Sequence, residues 1–139
     1  MKLDELKGCL KENGVVGAGG AGFPAYAKLS DKADTIILNC AECEPLLRLH
    51  RQVLERNTFE ILSALDFVAK SVGAENIIIG IKASYTAALE ALRAQKDSFP
   101  HIKVSEMKSF YPTGDEVILI YETTGRVVQI GRASCRERV

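Results

Sequence analysis

Apolar residues along the chain follow two patterns, one typical of amphipathic helices and one typical of buried strands. In residues 2–13, three leucines recur at helical spacing before an Asn-Gly stop signal, which predicts a short helix. The run DTIILN, from Asp34 to Asn39, predicts a buried strand. Residues 45–73 then predict a long helical stretch, with a break near Asn57 and an end at Gly73.

Two more strands and two more helices follow in alternation. The runs ENIIIGIK (75–82) and HIKVSEM (101–107) predict a second buried strand and a third strand. Helices are predicted over residues 84–98, with Ser84 as the N-cap, and over residues 114–125. Strands that alternate with helices indicate an α/β fold with a mainly parallel sheet flanked by helices.

Three polar or flexible loops lie where such a sheet binds ligands, beyond the carboxyl ends of its strands. The loop NCAECEP (39–45) follows the first strand, and YPTGD (111–115) follows the third. The glycine-rich run GAGGAGFP (17–24) is placed to reach the same edge. We therefore expect the three loops to converge on one crevice.

The run GAGGAGFP satisfies the G-x-G-x-x-G pattern of dinucleotide sites, which requires a strand before it and a helix after it. Val15-Val16 is too short to predict a strand, whereas Phe23-Pro24 predicts the start of a helix with proline in its first turn. Backbone N–H groups of such a loop can surround a phosphate or lie against a flat ring system. A tight connection between two helices explains the run equally well.

Cys40 and Cys43 form a C-x-x-C pair, a spacing found in redox couples and in metal sites. No second C-x-x-C and no nearby pair of histidines completes a zinc site, because His50 and His101 are isolated in the sequence. A redox pair needs a helix N-terminus, which Pro45 would allow. The favoured interpretation is that small side chains line a tight loop at the end of a strand.

Glu42, Glu44, Asp115 and Glu116 make two of these loops acidic. Carboxylates beside a ligand would accept hydrogen bonds from ribose hydroxyls or ring N–H groups. Contact with a phosphate would require a cation, which Lys28 is able to supply. The alternatives are a solvated turn for the first pair and, for the second pair, a helix start where acids complement the dipole.

Composition narrows the partners and the location. The chain has 139 residues with 18 basic and 18 acidic side chains, so no broad basic face for nucleic acid is expected. No apolar run reaches the roughly 18 residues needed to span a membrane, and the first residues are too charged for a signal peptide. We expect a cytoplasmic protein, with peripheral attachment to a membrane complex through partner subunits as the alternative.

Taken in order, GAGGAGFPAYAKL, NCAECEP and YPTGDE resemble the flavin-binding family of the respiratory complex I 51-kDa subunit. The resemblance covers residues 14–128. AECEPLLR and YPTG are most similar to an anaerobic branch that includes the C subunit of the Rnf complex, cobalamin reductases and a proline-reductase-associated protein. The resemblance implies a truncated Rossmann-like FMN-binding domain. Its parent enzyme would pass electrons from NADH through FMN to iron–sulfur clusters and then to ferredoxin or cobalamin.

By position, the resemblance implies FMN contacts for residues of all three loops: Gly17, Gly19, Gly20, Gly22, Lys28, Asn39, Glu42, Tyr111, Gly114, Asp115 and Glu116. It implies NADH contacts for Phe23 and Glu44. It assigns no catalytic side chain and no metal ligand, because the hydride and electron chemistry belongs to the flavin. Ala18 and Ala41 depart from the respiratory branch, which has an arginine and an acid at these positions.

The last ten residues, IGRASCRERV, are arginine-rich and resemble the translation of a sequencing adapter. We expect residues 130–139 to be a non-native tail and residues 1–129 to be a partial FMN- and NADH-binding domain, a native basic tail being the alternative. The 4Fe–4S clusters would then lie in the missing part of the parent. We expect the chain to bind FMN weakly or not at all and to be inactive alone.

Two other functions stay open on the sequence. One is a nucleotide- or partner-binding module without redox activity. The other is a thiol protein that uses Cys40 and Cys43.

Overall fold

A computed structural model describes residues 2–17, 22–30, 33–44 and 46–128 of the chain. The described residues form these elements, in chain order: α1 (Leu3–Glu12), a 3₁₀ helix (Ala25–Lys28), β1 (Thr35–Asn39), α2 (Leu49–Arg56), α3 (Thr58–Val72), β2 (Asn76–Lys82), α4 (Thr86–Ala94), β3 (Ile102–Met107) and α5 (Glu116–Thr124). Gly19 and Gly20, two of the predicted FMN contacts, lie outside the described residues.

The three strands form one parallel sheet in the order β1-β2-β3, which confirms the predicted α/β fold. Central strand β2 is buried along most of its length, as its continuous apolar run predicts for a strand covered on both faces. Each residue of β1 is only half-buried. The first strand was predicted to be buried, and this prediction was wrong in its extent of burial. The reason is that β1 lies at an edge of the described sheet and has a hydrogen-bonded neighbour on one side.

Helices cover the two faces of the sheet unequally. On one face, α2, α3 and α4 pack against the sheet and form the larger apolar cluster: Cys40, Leu54, Leu62, Ile79, Ile81, Ala88, Leu89 and Leu92. On the other face, α5 packs through Leu119 against Met107 and Ala41. Gly80 in β2 permits this approach, since a β-carbon at Gly80 would lie 2.5 Å from Cδ1 of Leu119.

The predicted helix ends are mostly confirmed. Asn13 caps the C-terminus of α1, and Gly14 follows it with a positive φ of 63°. The long helical stretch breaks at Asn57 and ends at Gly73, as its sequence predicts. The stretch begins at Leu49, four residues later than the pattern indicated.

The prediction of Ser84 as a helix N-cap was wrong. Helix α4 begins at Thr86, and Tyr85 occupies the N-cap position without a side-chain capping bond. The hydroxyl of Ser84 instead pairs with that of Ser109 at 2.8 Å, which joins the loop after β2 to the loop after β3. A tertiary contact between strand-end loops has therefore replaced the local capping bond.

The loops after β1 and β3 meet at the carboxyl edge of the sheet, as the strand order requires. Asn39 donates from Nδ2 to the carbonyl oxygen of Gly114 at 2.9 Å, and its Oδ1 accepts from the N–H of Ala41 at 3.0 Å. A β-carbon at Gly114 would overlap the carbonyl group of Ala41. Position 114 must therefore be glycine for the two loop backbones to pack together.

None of the helices in the described part of the chain is long and apolar enough to cross a membrane.

We expect Gly114→Ala to lower the free energy of unfolding by about 3 kcal/mol or more, because the added methyl group meets backbone that cannot rotate away. The matched control is Gly8→Ala in α1, where a β-carbon would meet nothing within 4 Å. This change should raise the free energy of unfolding by about 0.5–1 kcal/mol through helix propensity. Urea unfolding followed by circular dichroism measures both. Equal stability of Gly114→Ala and the wild type would contradict the packing argument.

Candidate functional site at the carboxyl edge of the sheet

Glu42 is a buried carboxylate in the loop after β1. Its side chain is 4% exposed, and Oε1 lies 4.0 Å from Nδ1 of His50 in α2. Oε2 is buried and has no hydrogen-bond partner among the described residues. Leaving a buried charged acceptor unpaired costs more than the roughly 1–3 kcal/mol typical of a neutral group. The carboxyl edge therefore holds an acceptor whose donor is not supplied by the described residues.

Lys82 and Tyr85 stand beside Glu42 at the end of β2. The ammonium of Lys82 donates to the backbone carbonyl of Glu42 at 2.5 Å and ties the first loop to the central strand. Two cations lie close to the ring of Tyr85, with Nζ of Lys82 at 5.9 Å and Cζ of Arg51 at 4.9 Å from its centroid. Burial raises the pKa of Tyr85; the charge of Arg51 opposes this, and Glu42 and Cys43 add to it.

The two cysteines of the C-x-x-C pair are free and differ in burial. Burial, with the charge of Glu42 as the second cause, raises the pKa of Cys40 to about 12. Helix α2 begins at Leu49, so neither cysteine occupies the helix N-terminus that activates a thiol. The described residues also contain no group of three or more His, Cys, Asp or Glu side chains that could hold a metal ion. These findings favour the predicted structural role, in which small side chains line a tight loop.

Asp115 caps the N-terminus of α5, which is one of the two roles that the sequence allowed for it. Its Oδ1 accepts hydrogen bonds from the N–H groups of Val117 at 3.0 Å and Ile118 at 3.3 Å. Helix α5 consequently begins at Glu116 and not at Gly114 as predicted. One oxygen of Asp115 is thereby committed to capping, and Glu116 lies in the first turn.

The rest of the YPTGD loop is organised by a buried hydroxyl. Thr113 is fully buried, and its Oγ1 donates to the carbonyls of Lys108, at 2.9 Å, and Phe110. Tyr111 extends away from this turn and is 80% exposed. The turn is therefore held rigidly from within, while its aromatic residue is free to contact a ligand or another surface.

The described ends of the glycine run lie side by side next to α1. The N–H of Gly17 donates to the carbonyl of Phe23 at 2.9 Å, and Val16 forms an antiparallel bridge with Pro24. Pro24 caps a 3₁₀ helix, so the predicted helix start is confirmed as a single turn. The ammonium of Lys28 lies 5.6 Å from the centroid of the Phe23 ring. Gly22, which has a φ of 60°, adopts a conformation that favours glycine.

The predicted site residues that the structure describes fall into three sets. The set joined or packed at the carboxyl edge comprises Asn39, Glu42, Gly114, Asp115 and Glu116. The set around the glycine run comprises Gly17, Gly22, Phe23 and Lys28. Glu44 and Tyr111 are exposed. Contacts join the loops after β1 and β3 to each other. The contacts described above for the glycine run lie within that run. That the glycine run reaches the carboxyl edge as well therefore stays a prediction.

Sequence reasoning missed His50, Lys82 and Tyr85. Lys82 ends the central strand, so the strand-end rule that selected Asn39 would also have selected Lys82. His50 gave no local signal, because only the return of the loop onto α2 brings it to Glu42.

Residues 10–138 match the family model for the complex I 51-kDa subunit, described as the Nuo51 FMN-binding domain. The chain is 34% identical over 128 residues to the cobalamin reductase PduS of Salmonella typhimurium, covering 92% of this chain and 28% of that protein. It is 36% identical over 135 residues to the C subunit of the Na⁺-translocating ferredoxin:NAD⁺ oxidoreductase complex of Acetobacterium woodii, covering 94% and 30%. The chain thus spans less than a third of these relatives' lengths.

A similar fold occurs in the crystal structure of an NAD⁺-reducing nickel–iron hydrogenase in its H₂-reduced state. The TM-score is 0.74 at 24% identity, covering 91% of this chain and 25% of that chain. At this identity the likeness concerns the fold alone. The family match and the cobalamin reductase and ferredoxin:NAD⁺ oxidoreductase relatives together carry the assignment: the chain belongs to the family of FMN-binding domains typified by the 51-kDa subunit of respiratory complex I.

Proposed function

We propose that this chain forms part of the FMN site of a flavin-dependent NADH oxidoreductase. Its family membership supports flavin-dependent electron transfer. In the proposal, the parent protein takes electrons from NADH and delivers them through iron–sulfur clusters to an acceptor such as ferredoxin or cobalamin. The observation that carries it is the buried Glu42 carboxylate with its unpaired Oε2, at the edge where parallel sheets bind ligands.

The chemistry of Glu42 fits a flavin. An oxidised isoalloxazine ring presents one N–H donor and otherwise acceptors, so a buried carboxylate is a suitable partner for that single donor. The cofactor, when bound, supplies hydride acceptance and the release of single electrons. The chain's part is to orient the ring, exclude water and fix the local charge.

Other residues of the proposed site divide this work. Asn39 holds the two strand-end loops together through both polar atoms of its amide, and Gly114 lets them pack closely. In the proposal, the backbone at Gly17, Gly19, Gly20 and Gly22 approaches the flavin and its phosphate. Lys28 supplies positive charge for the phosphate.

The remaining predicted residues would bound the pocket. Tyr111, Asp115 and Glu116 would close it on the α5 side. Phe23 and Glu44 would contact NADH, and both are exposed. Exposed side chains at these two positions are consistent with a substrate that enters from solvent.

The thiol alternative is disfavoured by the state of Cys40. A nucleophilic cysteine acts as its thiolate, and the raised pKa of Cys40 keeps the thiol protonated near neutral pH.

We expect Glu42→Gln to have opposite effects on stability and on FMN binding. Removing an unpaired buried charge should raise the free energy of unfolding of the apoprotein by about 1 kcal/mol. In the full-length parent protein, loss of the charged acceptor should weaken FMN binding about tenfold. Urea unfolding and titration followed by flavin fluorescence measure the two effects.

Asp66→Asn is the matched control, because Asp66 in α3 is already paired with Lys70 at 2.6 Å and His101 at 2.7 Å. This change should lower stability and leave FMN binding unchanged. Absence of FMN binding by the full-length parent protein at about 1 mM contradicts the proposed site. The chain alone is expected to bind FMN weakly or not at all. If the parent protein binds FMN but NADH does not reduce the bound FMN, the result would support the alternative of a binding module without redox activity.

Another prediction concerns the reactivity of the native thiols, tested in a Cys135→Ser background with an aromatic disulfide reagent. Cys9 is exposed and should react first. Cys40 is 4% exposed, and at pH 8 a thiol with a pKa of about 12 is ionised to only about one part in ten thousand, so it should react only on unfolding. Raising the pH toward 12 should speed its reaction. Rapid native labelling of Cys40 at pH 8 would revive the thiol alternative.

A further inference from the structure

The two oxygens of the Glu42 carboxylate have different surroundings. Oε1 faces the imidazole of His50 at 4.0 Å, whereas the buried Oε2 has no partner in the described structure. The side chain of His50 is 54% exposed, while that of Glu42 is 4% exposed. His50 is therefore in contact with both the solvent and a carboxylate that the solvent does not reach.

Several other charged or titratable groups lie near Glu42. The ammonium of Lys82 donates to the backbone carbonyl of Glu42. Cys40 has a pKa raised to about 12, chiefly by burial, and the pKa of Tyr85 is raised above its usual value, also chiefly by burial. The guanidinium of Arg51 lies over the Tyr85 ring. The Sγ of Cys43 lies beside Gly114, and the charge of Cys43 is one of the causes that raise the pKa of Tyr85.

Histidine differs from these groups because its charge ordinarily changes between pH 5 and 8. His50 lies in the first turn of α2, with its Nδ1 4.0 Å from Oε1 of Glu42.

We propose that His50 is a positioning residue that sets the net charge of the buried Glu42 at the flavin edge. This inference rests on the proposed function. With His50 protonated, the pair is neutral and Oε1 is held toward α2. With His50 neutral, Glu42 presents a full negative charge to the site. A negative charge disfavours the electron-rich reduced flavin, so the pair makes the relative affinity for reduced and oxidised FMN depend on pH.

The first test is a double-mutant cycle in the apoprotein, measured by urea unfolding at pH 5.5 and pH 8. His50→Asn keeps a neutral donor near the position of Nδ1. At pH 5.5 it should raise the unfolding equilibrium constant about threefold in the wild type and leave it nearly unchanged in the Glu42→Gln background. At pH 8 it should have little effect in either background. His50→Lys keeps a positive charge at both pH values and should retain its coupling to Glu42 at pH 8.

The second test compares the Kd values of reduced and oxidised FMN in the full-length parent protein and its variants under anaerobic conditions. At pH 5.5 the ratio of the reduced to the oxidised Kd should be about fivefold lower in the wild type than in His50→Asn, and the two should agree at pH 8. His50→Lys should keep the low ratio at both pH values. The matched control is His101→Gln, which removes the remote histidine paired with Asp66 and should match the wild type.

The outcomes separate this inference from the proposed function. Normal FMN binding without coupling between His50 and Glu42 would overturn the role of His50 and leave the FMN site standing. Coupling in the apoprotein without FMN binding by the parent protein or any of its variants would overturn the FMN site and, with it, the effect on flavin affinity. The assignment to His50 would also be overturned if His101→Gln abolished the pH dependence of the Kd ratio as fully as His50→Asn does.

Discussion

The geometry of the candidate site depends on the close packing of two loop backbones at the carboxyl edge of a parallel sheet. Asn39 bonds to both loops, and Gly114 removes the one side chain that would force them apart. Lys82 adds a third attachment, from the central strand to the carbonyl of Glu42. The position of Glu42 is thus fixed by hydrogen bonds to its neighbours and its own backbone, and its carboxylate is free to serve another purpose.

Burying the Glu42 carboxylate lowers the stability of the apoprotein and serves the proposed binding function. A sequence selected for stability alone would place an apolar or amide side chain at a position with 4% exposure and no partner for one oxygen. Such conflicts are expected where a protein binds something absent from its own chain. The surrounding groups are consistent with this view, because Cys40 and Tyr85 are both held in their neutral forms by burial and add no charge of their own.

The sequence predicted the framework of this protein better than its contacts. The apolar run of β2 specified a central strand because burial on both faces leaves no polar position, and glycine or asparagine at helix ends marked their limits through local geometry. Ser84 was assigned wrongly because its hydroxyl bonds to Ser109, from a distant loop, and not to its own helix. His50 could not be predicted as a site residue for a similar reason. Its contact with Glu42 depends on the path of the loop back to α2 and not on a local sequence pattern. The edge position of β1, and so its partial exposure, follows from strand order, which a pattern of apolar residues does not encode.

The unequal covering of the two sheet faces has a consequence for motion. Helix α5 packs on the sheet mainly through Leu119, whereas three helices share the larger cluster on the opposite face. A segment with few buried apolar contacts opens at a lower free energy than the core does, so its amide hydrogens exchange earlier with solvent. Because Gly114 immediately precedes this helix, each such opening also loosens the loop that bonds to Asn39. A helix with a single buried residue, Leu119, is therefore directly linked to the edge that carries Glu42.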